Sequence, residues 1–148
     1  MQKSQMKRIL SLILCMVLIA AIALFAAGCS EKTTQPEEIA SATFENGSIL
    51  GEGATAFTFT VTDGDGNESI FEIKTDKATV GEALLDVGII AGEDGDYGLY
   101  VKSVNGITAD FDKDGTYWAF YINGEYAMTG VDTTNVEAGA TYSFKVEK

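Results

Sequence analysis

The sequence contains no histidine, one proline and two cysteines in 148 residues. Histidine is the commonest general base and zinc ligand, so its absence excludes catalytic triads of the Ser–His and Cys–His types and most zinc hydrolase sites. A metal would have to bind oxygen ligands. The net charge of −12 and the pI near 4.2 argue against a nucleic-acid partner, because phosphate groups require a basic surface. The length permits one ordinary domain and a tail.

The chain begins with basic residues and an apolar run. Lys3, Lys7 and Arg8 precede every acidic residue of the sequence. Residues 12–27 follow them and form an apolar run in which only Cys15 is of a different type. This order is typical of an export signal, which has a basic n-region and an apolar h-region. We therefore expect this segment to lie outside the fold.

A cysteine follows small residues at the end of this run. The segment FAAGC at residues 25–29 resembles the bacterial lipobox, with Ala26 at the position where leucine is usual. Cleavage before Cys29 would leave it as the only cysteine of the mature chain, so lipidation explains it and an intradomain disulfide does not. We expect residues 1–28 to be a lipoprotein signal peptide and Cys29 to be the lipidation site. A plain secretory signal and an uncleaved membrane helix are the alternatives.

Residues 29–52 are expected to form the lipid anchor and a flexible tether. Residues 30–42 are polar, contain the only proline and lack apolar periodicity, which is typical of a linker. Phe44, Ile49 and Leu50 leave open whether a short strand forms in this segment. The acylated cysteine makes the membrane one expected partner and places the domain at the extracytoplasmic face. A Gram-positive envelope is favoured, and a Gram-negative periplasm is the alternative.

The folded domain is expected over residues 53–148, and it begins with a β-hairpin. Residues 54–62 alternate apolar residues with threonine, and residues 70–74 follow after a glycine-rich turn. Strict alternation on both sides of such a turn predicts two paired antiparallel strands.

A helix and three further strands are predicted after the hairpin. Thr79 and Glu82 have the spacing of a capping box and begin an apolar pattern of helical period, which predicts a short helix over residues 80–87. The further strands are predicted over residues 97–104, 116–122 and 141–147. Together these elements predict an α+β domain with one sheet and one helix.

Five segments of the domain resemble one protein family in their order and spacing. They are KATVGEALL at 77–85, SVNG at 103–106, YWAFYING at 117–124, GV at 130–131 and EAGATYSF at 137–144. They resemble a bacterial domain family of unknown function that is similar to the C-terminal β domain of transcobalamin and intrinsic factor. The resemblance covers residues 57–146. It implies a small β-grasp-like fold with one mixed sheet of about five strands and one short helix.

The resemblance also implies a face that contacts a ligand. By position, this face would contain Tyr100, Val101, Trp118, Tyr121, Met128 and Thr129. Aromatic and thioether side chains form a polarizable platform for a flat ring. The ligand that the resemblance implies is therefore a small molecule of the corrinoid class, and no cofactor is required.

Several of these aromatic residues have a second interpretation. Alternation along a strand places Trp118 and Phe120 on one face, where large aromatic side chains commonly form a core. Tyr117 and Tyr121 would lie on the other face, and together with Tyr126 they are candidates for an exposed recognition surface.

A second constellation is acidic. Asp110, Asp112 and Asp114 occupy the first, third and fifth positions of a calcium-loop pattern, and Gly115 occupies the sixth. The twelfth position is Tyr121 in place of a bidentate glutamate, and the following residues predict a strand in place of the usual helix. A weak Ca²⁺ site and a solvated turn are both consistent with this pattern.

The sequence does not place a pair of carboxylates in a cleft, so we expect a protein that is not an enzyme. Two functions remain. One is a cell-surface receptor that binds a small molecule. The other is a module that binds a surface protein or the cell envelope, or that binds calcium weakly, while displayed on a lipid anchor. A concave aromatic pocket would favour the first function, and a flat tyrosine-rich sheet face would favour the second.

Overall fold

The computed structural model of the protein describes residues 39–148. The predicted signal peptide, the predicted lipidation site Cys29 and the first part of the predicted tether therefore lie outside the described residues. Within residues 39–148, the helices are too short to cross a membrane. This part of the chain is mostly β-structure with two short α-helices and a 3-10 helix.

The elements of the described chain follow one another in this order: β1 (Ile49–Leu50), β2 (Thr55–Thr62), β3 (Glu68–Thr75), α1 (Val80–Val87), β4 (Ile90–Gly95), β5 (Gly98–Val104), β6 (Ile107–Thr108), α2 (Phe111–Asp114), β7 (Tyr117–Ile122), β8 (Glu125–Tyr126), a 3-10 helix (Val131–Thr133) and β9 (Thr141–Glu147). The predicted hairpin, helix and three later strands are confirmed within two residues at their ends. The α2 helix, the 3-10 helix and the strands β4, β6 and β8 were not predicted.

The strands form two sheets, so the predicted single sheet of about five strands is wrong. The large sheet has six strands in the order β1-β3-β2-β9-β7-β8, and it is mixed because β2 runs parallel to β9 and antiparallel to β3. The small sheet is antiparallel, with the order β4-β5-β6. Its strand β4 contains Gly92, Glu93, Asp94 and Gly95, which are residue types depleted in strands. The sequence pattern therefore did not indicate this strand.

Helix α1 forms where its capping residues predicted it. Thr79 Oγ1 accepts a hydrogen bond from the Glu82 N–H at 3.2 Å, and Glu82 Oε2 accepts one from the Thr79 N–H at 3.4 Å. Both bonds satisfy N–H groups that lack a partner within the helix. Gly88, with φ of +79°, ends the helix in the left-handed conformation that glycine adopts most easily. Leu84 is fully buried, so the helix is anchored to the core by its apolar side.

The core contains the inward-facing side chains of the central strands together with side chains of α1 and of the small sheet. Phe57 contacts Tyr142 edge to face at 5.1 Å between ring centres, and Phe120 lies 5.2 Å from Phe144. Trp118 and Phe120 are 7% and 8% exposed. Their burial agrees with the interpretation in which the inward face of β7 belongs to the core.

Residues before the predicted domain boundary are packed on the domain. The Ser41 N–H donates to Ser103 Oγ at 3.0 Å, and the two hydroxyl oxygens lie 2.8 Å apart. The Phe44 N–H donates to Asn105 Oδ1 at 2.7 Å. Leu50 is buried and belongs to the short strand β1, so a strand does form in this segment. The packed part of the described chain therefore begins earlier than predicted, near Ser41.

Candidate functional site

Two of the predicted ligand-contacting residues are core residues. Val101 and Trp118 are 6% and 7% exposed, and the strands β5 and β7 that carry them are in contact. Trp118 Nε1 is buried and has no hydrogen-bond partner within residues 39–148, although most buried N–H groups are paired. These two side chains therefore expose little surface to a ligand.

A second group of the predicted residues is exposed around the β4–β5 hairpin and the loop after β8. Tyr100 is 41% exposed, Met128 is 93% exposed and Thr129 is also exposed. Tyr97, at the hairpin turn, is 101% exposed, and its place in the sequence pattern did not indicate a site residue. Tyr97 would have been recognised as a hairpin-turn residue only if β4 had been predicted, because β4 and β5 together form that hairpin.

One carboxylate joins this hairpin to the loop. The Leu99 N–H donates to Asp132 Oδ2 at 3.2 Å. Gly98 and Gly130 lie against the same carboxylate, and a Cβ added at either glycine would lie 2.7 Å from one of its oxygens. The two segments that meet at this carboxylate are named the hairpin–loop junction, and they are residues 97–100 and residues 128–132.

The loop side of the junction is fixed to α1. Val131 is buried, and the Val80 N–H donates to the Thr134 carbonyl oxygen at 2.8 Å. Gly81 permits a close approach, since a Cβ at that position would lie 2.7 Å from the Cα of Asp132. The loop is therefore held by backbone contacts to α1 as well as by the Asp132 contact to the hairpin.

A charged pair lies beside Tyr100. Lys102 forms an ion pair with Glu93, which is paired with Tyr100 across the hairpin. The hydrogen bond to Glu93 raises the pKa of the Lys102 ammonium. The same ammonium lies 5.9 Å from the centre of the Tyr100 ring, within the range of a cation–π contact. An aromatic ring of the junction is therefore bordered by a lysine whose charge is paired with that of Glu93.

Tyr121 is separated from the other predicted residues. It lies on the opposite face of β7 from Trp118, because successive side chains of a strand point to opposite faces. Its hydroxyl donates to Glu147 Oε1 at 2.9 Å, and its ring meets that of Tyr126 edge to face at 5.7 Å. This hydrogen bond raises the pKa of Tyr121 and lowers the pKa of Glu147, which is lowered further by Lys145. The outer tyrosine face is defined as Tyr117, Tyr121 and Tyr126.

A shallow depression of about 440 Å³ lies apart from these residues. It is lined by Phe44, Leu50, Gly51, Glu52, Asp86 and Val87. The predicted ligand-contacting residues do not line it. This depression is therefore not the concave aromatic pocket that the first function would favour.

The three aspartates of the predicted calcium site lie at and within α2, a short helix at the position where a weak Ca²⁺ site or a solvated turn was predicted. Asp110 caps this helix by accepting a hydrogen bond from the Asp112 N–H at 3.1 Å, and it lies 3.7 Å from Lys113 Nζ. Asp114 accepts hydrogen bonds from the N–H and the hydroxyl of Thr116, which lower the pKa of Asp114. Within residues 39–148, no group of three Asp, Glu, Cys or His side chains is arranged to hold a metal ion. The site has no preformed geometry, and calcium binding stays a prediction.

Comparison with known proteins identifies the domain family. Residues 77–148 match the family described as a domain of unknown function, DUF4430. A candidate metal binding protein from Ruminococcus gnavus ATCC 29149 is 34% identical, with a TM-score of 0.60 over 64% of this chain and 98% of that chain. The chain therefore belongs to one family with that protein, and its residues 77–148 resemble the DUF4430 family. This confirms the prediction of a domain family of unknown function, while the lipoprotein nature of the chain stays a prediction.

A more distant structural similarity links the chain to haptocorrin. The structure of haptocorrin in complex with Cbi is 19% identical, with a TM-score of 0.47 over 64% of this chain and 25% of haptocorrin. This chain thus spans about a quarter of that protein's length. No curated protein matches the sequence.

Proposed function

We propose that the protein is a non-catalytic receptor, anchored through acylated Cys29 at the extracytoplasmic face of the membrane, and that its domain binds a small molecule. The binding surface is the hairpin–loop junction. The ligand is a flat ring system with polar substituents, and a corrinoid is the first candidate. The absence of histidine and the lack of a basic surface are consistent with binding in preference to hydrolysis or nucleic-acid recognition.

The exposure of three large side chains at one junction carries this proposal. Tyr97, Tyr100 and Met128 are 101%, 41% and 93% exposed, and they belong to the two segments that meet at Asp132. Aromatic rings stack on flat ring systems, and methionine adapts to irregular ones. Concentrated exposed apolar side chains usually mark a binding surface. Lys102, beside Tyr100, supports a ligand that carries acceptor groups, and the sequence resemblance to the transcobalamin β domain supports the corrinoid class.

The test is calorimetric titration of residues 30–148 with cobinamide and with cobalamin. We expect saturable binding that is weakened at least about tenfold by Tyr100→Ala, because a large aromatic contact at a binding surface contributes this much. Tyr126→Ala is the matched control, since Tyr126 is also exposed but lies on the outer tyrosine face. We expect its affinity to equal that of the unmodified protein. A folded sample that binds neither corrinoid would contradict the ligand class.

A second candidate function is recognition of a surface protein or of the cell envelope. The outer tyrosine face supports it, because Tyr121 and Tyr126 present paired rings on an open side of the large sheet. Tyrosine provides rigid contact area at a small entropic cost. Pull-down from envelope extracts with the unmodified protein, with Tyr126→Ala and with Tyr100→Ala separates the two functions. Capture that depends on Tyr126 and not on Tyr100 would favour this second function.

The same titration includes a divalent cation. The R. gnavus relative is described as a candidate metal binding protein, which is the reason to add millimolar Ca²⁺ as a separate arm. Within residues 39–148 no three acidic side chains are arranged to hold a metal ion, so the turn would have to rearrange to bind Ca²⁺. A saturable heat that disappears in Asp112→Asn would assign the cation to this turn.

The membrane anchor is tested in cells by Cys29→Ala. We expect this change to release the protein or to leave an uncleaved precursor, because the acyl chains that hold it at the membrane can no longer be attached. Fractionation followed by mass analysis of the N-terminus distinguishes the two results. Membrane retention of the variant after removal of the leader would contradict the lipid anchor.

A further inference from the structure

Within residues 39–148, the side chain of Asp132 supplies the hydrogen bond that joins the two segments of the hairpin–loop junction. The Asp132 carboxylate accepts the hydrogen bond of the Leu99 N–H at 3.2 Å. It also lies against Gly98 on the hairpin and against Gly130 on the loop, where a Cβ would lie 2.7 Å from Oδ2 and from Oδ1 respectively. Side chains larger than hydrogen at these two positions would push the carboxylate away. Glycine on the hairpin and glycine on the loop therefore leave the space that the Asp132 carboxylate occupies.

The two partners in this contact differ in how firmly they are held. The loop side is attached to the region of α1 through the buried Val131, the bond from Val80 N–H to Thr134 O at 2.8 Å, and the bond from Val136 N–H to Ala78 O at 3.0 Å. The hairpin tip, residues 93–97, is exposed. Segments with exposed backbone and few buried contacts open easily. The contact at Asp132 is therefore positioned to restrain the more mobile partner against the more rigid one.

The contact is made at a cost in stability. Asp132 Oδ1 is buried and has no hydrogen-bond partner within residues 39–148. A buried carboxylate oxygen without a partner loses its hydration and gains nothing in return. Such groups are uncommon and concentrate where geometry matters for function.

We propose that Asp132 is a positioning residue of the binding surface. By holding Leu99, it fixes the hairpin that carries Tyr97 and Tyr100 against the loop that carries Met128, so that the surface exists before the ligand arrives. A surface organised in advance binds more tightly, because less conformational freedom is lost on binding. This inference rests on the proposed function only for its effect on affinity, and the restraint on the hairpin is a property of the free protein.

The first test is amide-resolved hydrogen exchange of the full chain without ligand. Asp132→Ala removes the acceptor, and we expect exchange of the Leu99 amide to become about tenfold faster. Asp132→Asn keeps an oxygen acceptor in the same place, and we expect exchange within about threefold of the unmodified protein. Amides of β2 and β9 should exchange as before in both variants, because Asp132 does not contact those strands through a hydrogen bond.

A second variant keeps the test valid if Asp132→Ala does not fold. Gly130 has φ of −71° and ψ of 156°, which alanine adopts without strain. Its Cβ would lie 2.7 Å from Asp132 Oδ1, so Gly130→Ala displaces the carboxylate while retaining it. We expect the same acceleration at Leu99, about tenfold.

The second test measures affinity for cobinamide. We expect Asp132→Ala to weaken binding about tenfold and Asp132→Asn to restore it. If the unmodified protein does not bind cobinamide, the proposed ligand is wrong, and the exchange experiment still decides the role of Asp132. Unchanged exchange at Leu99 in both Asp132→Ala and Gly130→Ala would overturn the inference. Equal acceleration in Asp132→Asn and Asp132→Ala, or acceleration throughout the domain, would overturn it as well.

Discussion

Tyr121 and Glu147 form a hydrogen bond between two adjacent strands of the large sheet. The tyrosine hydroxyl donates to Glu147 Oε1 at 2.9 Å, and Lys145 Nζ lies 3.3 Å from the same oxygen. Both contacts favour the ionised carboxylate, so the pKa of Glu147 is lowered, first by Tyr121 and then by Lys145. A lowered folded-state pKa contributes stability that is present above the unfolded pKa and is lost as the pH falls through the folded pKa.

Tyr121→Phe is expected to raise the pKa of Glu147 towards its ordinary value. The rise should be partial, because Lys145 keeps its contact with the carboxylate. An NMR titration of the Glu147 carboxyl carbon measures the change. Tyr126→Phe is the control, since the Tyr126 ring packs on Tyr121 but its hydroxyl is not a partner of Glu147. An unchanged Glu147 titration in Tyr121→Phe would mean that the hydrogen bond does not form in solution.

Sequence patterns predicted single residues well where alternation or capping decided their place. Trp118 and Phe120 are buried and Thr79 caps its helix, because local spacing fixes both outcomes. Asp132 was not predicted to matter. Its partner Leu99 is 33 residues away in sequence, and contacts of this range follow from the assembled fold and leave no periodic trace in the sequence.

Among the elements, α1 and the 3-10 helix approach each other at a glycine. Gly81 lies in the first turn of α1, and a Cβ there would lie 2.7 Å from the Cα of Asp132 and 3.2 Å from the carbonyl carbon of Val131. Both neighbours are backbone atoms, which cannot move aside as a flexible side chain does. This close approach positions the loop side of the hairpin–loop junction against α1.

Gly81→Ala is therefore expected to destabilise the protein by at least about 1 kcal/mol. Within an ordinary helix, a change from glycine to alanine stabilises the protein by about 1 kcal/mol. A decrease in the free energy of unfolding would therefore indicate the close backbone contact at Gly81. Gly64→Ala is the matched control, because its Cβ would meet only Val146 Cγ1 at 3.8 Å, and we expect a change within about 0.5 kcal/mol. Urea unfolding measures both variants. A Gly81→Ala protein as stable as the original would show that the two helices are less closely packed.

The element patterns explain which parts of the fold were missed. β2 and β3 alternate regularly and were predicted, whereas β4 is rich in glycine and acidic residues and its pairing shifts register at Ala91 and Gly92. A bulged strand of this kind is formed by its partner β5 and not by its own propensity. Since β4 and β5 together build the hairpin, missing β4 also meant missing Tyr97 as a site residue.

At the scale of the whole domain, the N-terminal segment belongs to the packed structure. Ser103 is fully buried, and its hydroxyl accepts the Ser41 N–H. Leu50 is 8% exposed, and β1 continues the large sheet by pairing with β3. The composition of this segment predicted a tether because it is polar and lacks apolar periodicity. Its contacts with the domain are mainly hydrogen bonds to residues far away in the sequence, and only a few apolar side chains accompany them.

A chain that begins at residue 53 should therefore be less stable than one that begins at residue 39. We expect a loss of about 2 to 4 kcal/mol, from exposure of the apolar surface that Leu50 covers and from the missing partners of Ser103 and Asn105. Urea unfolding of the two chains measures the difference, and a smaller m-value for the shorter chain would accompany it, because less surface is exposed on unfolding. Equal free energies of unfolding for the two chains would show that the domain boundary predicted from the sequence is correct and that the segment adds no stability. The double substitution Ser41→Ala with Leu50→Ala in the longer chain separates the contribution of these contacts from the effect of length, and it should reproduce more than half of the loss.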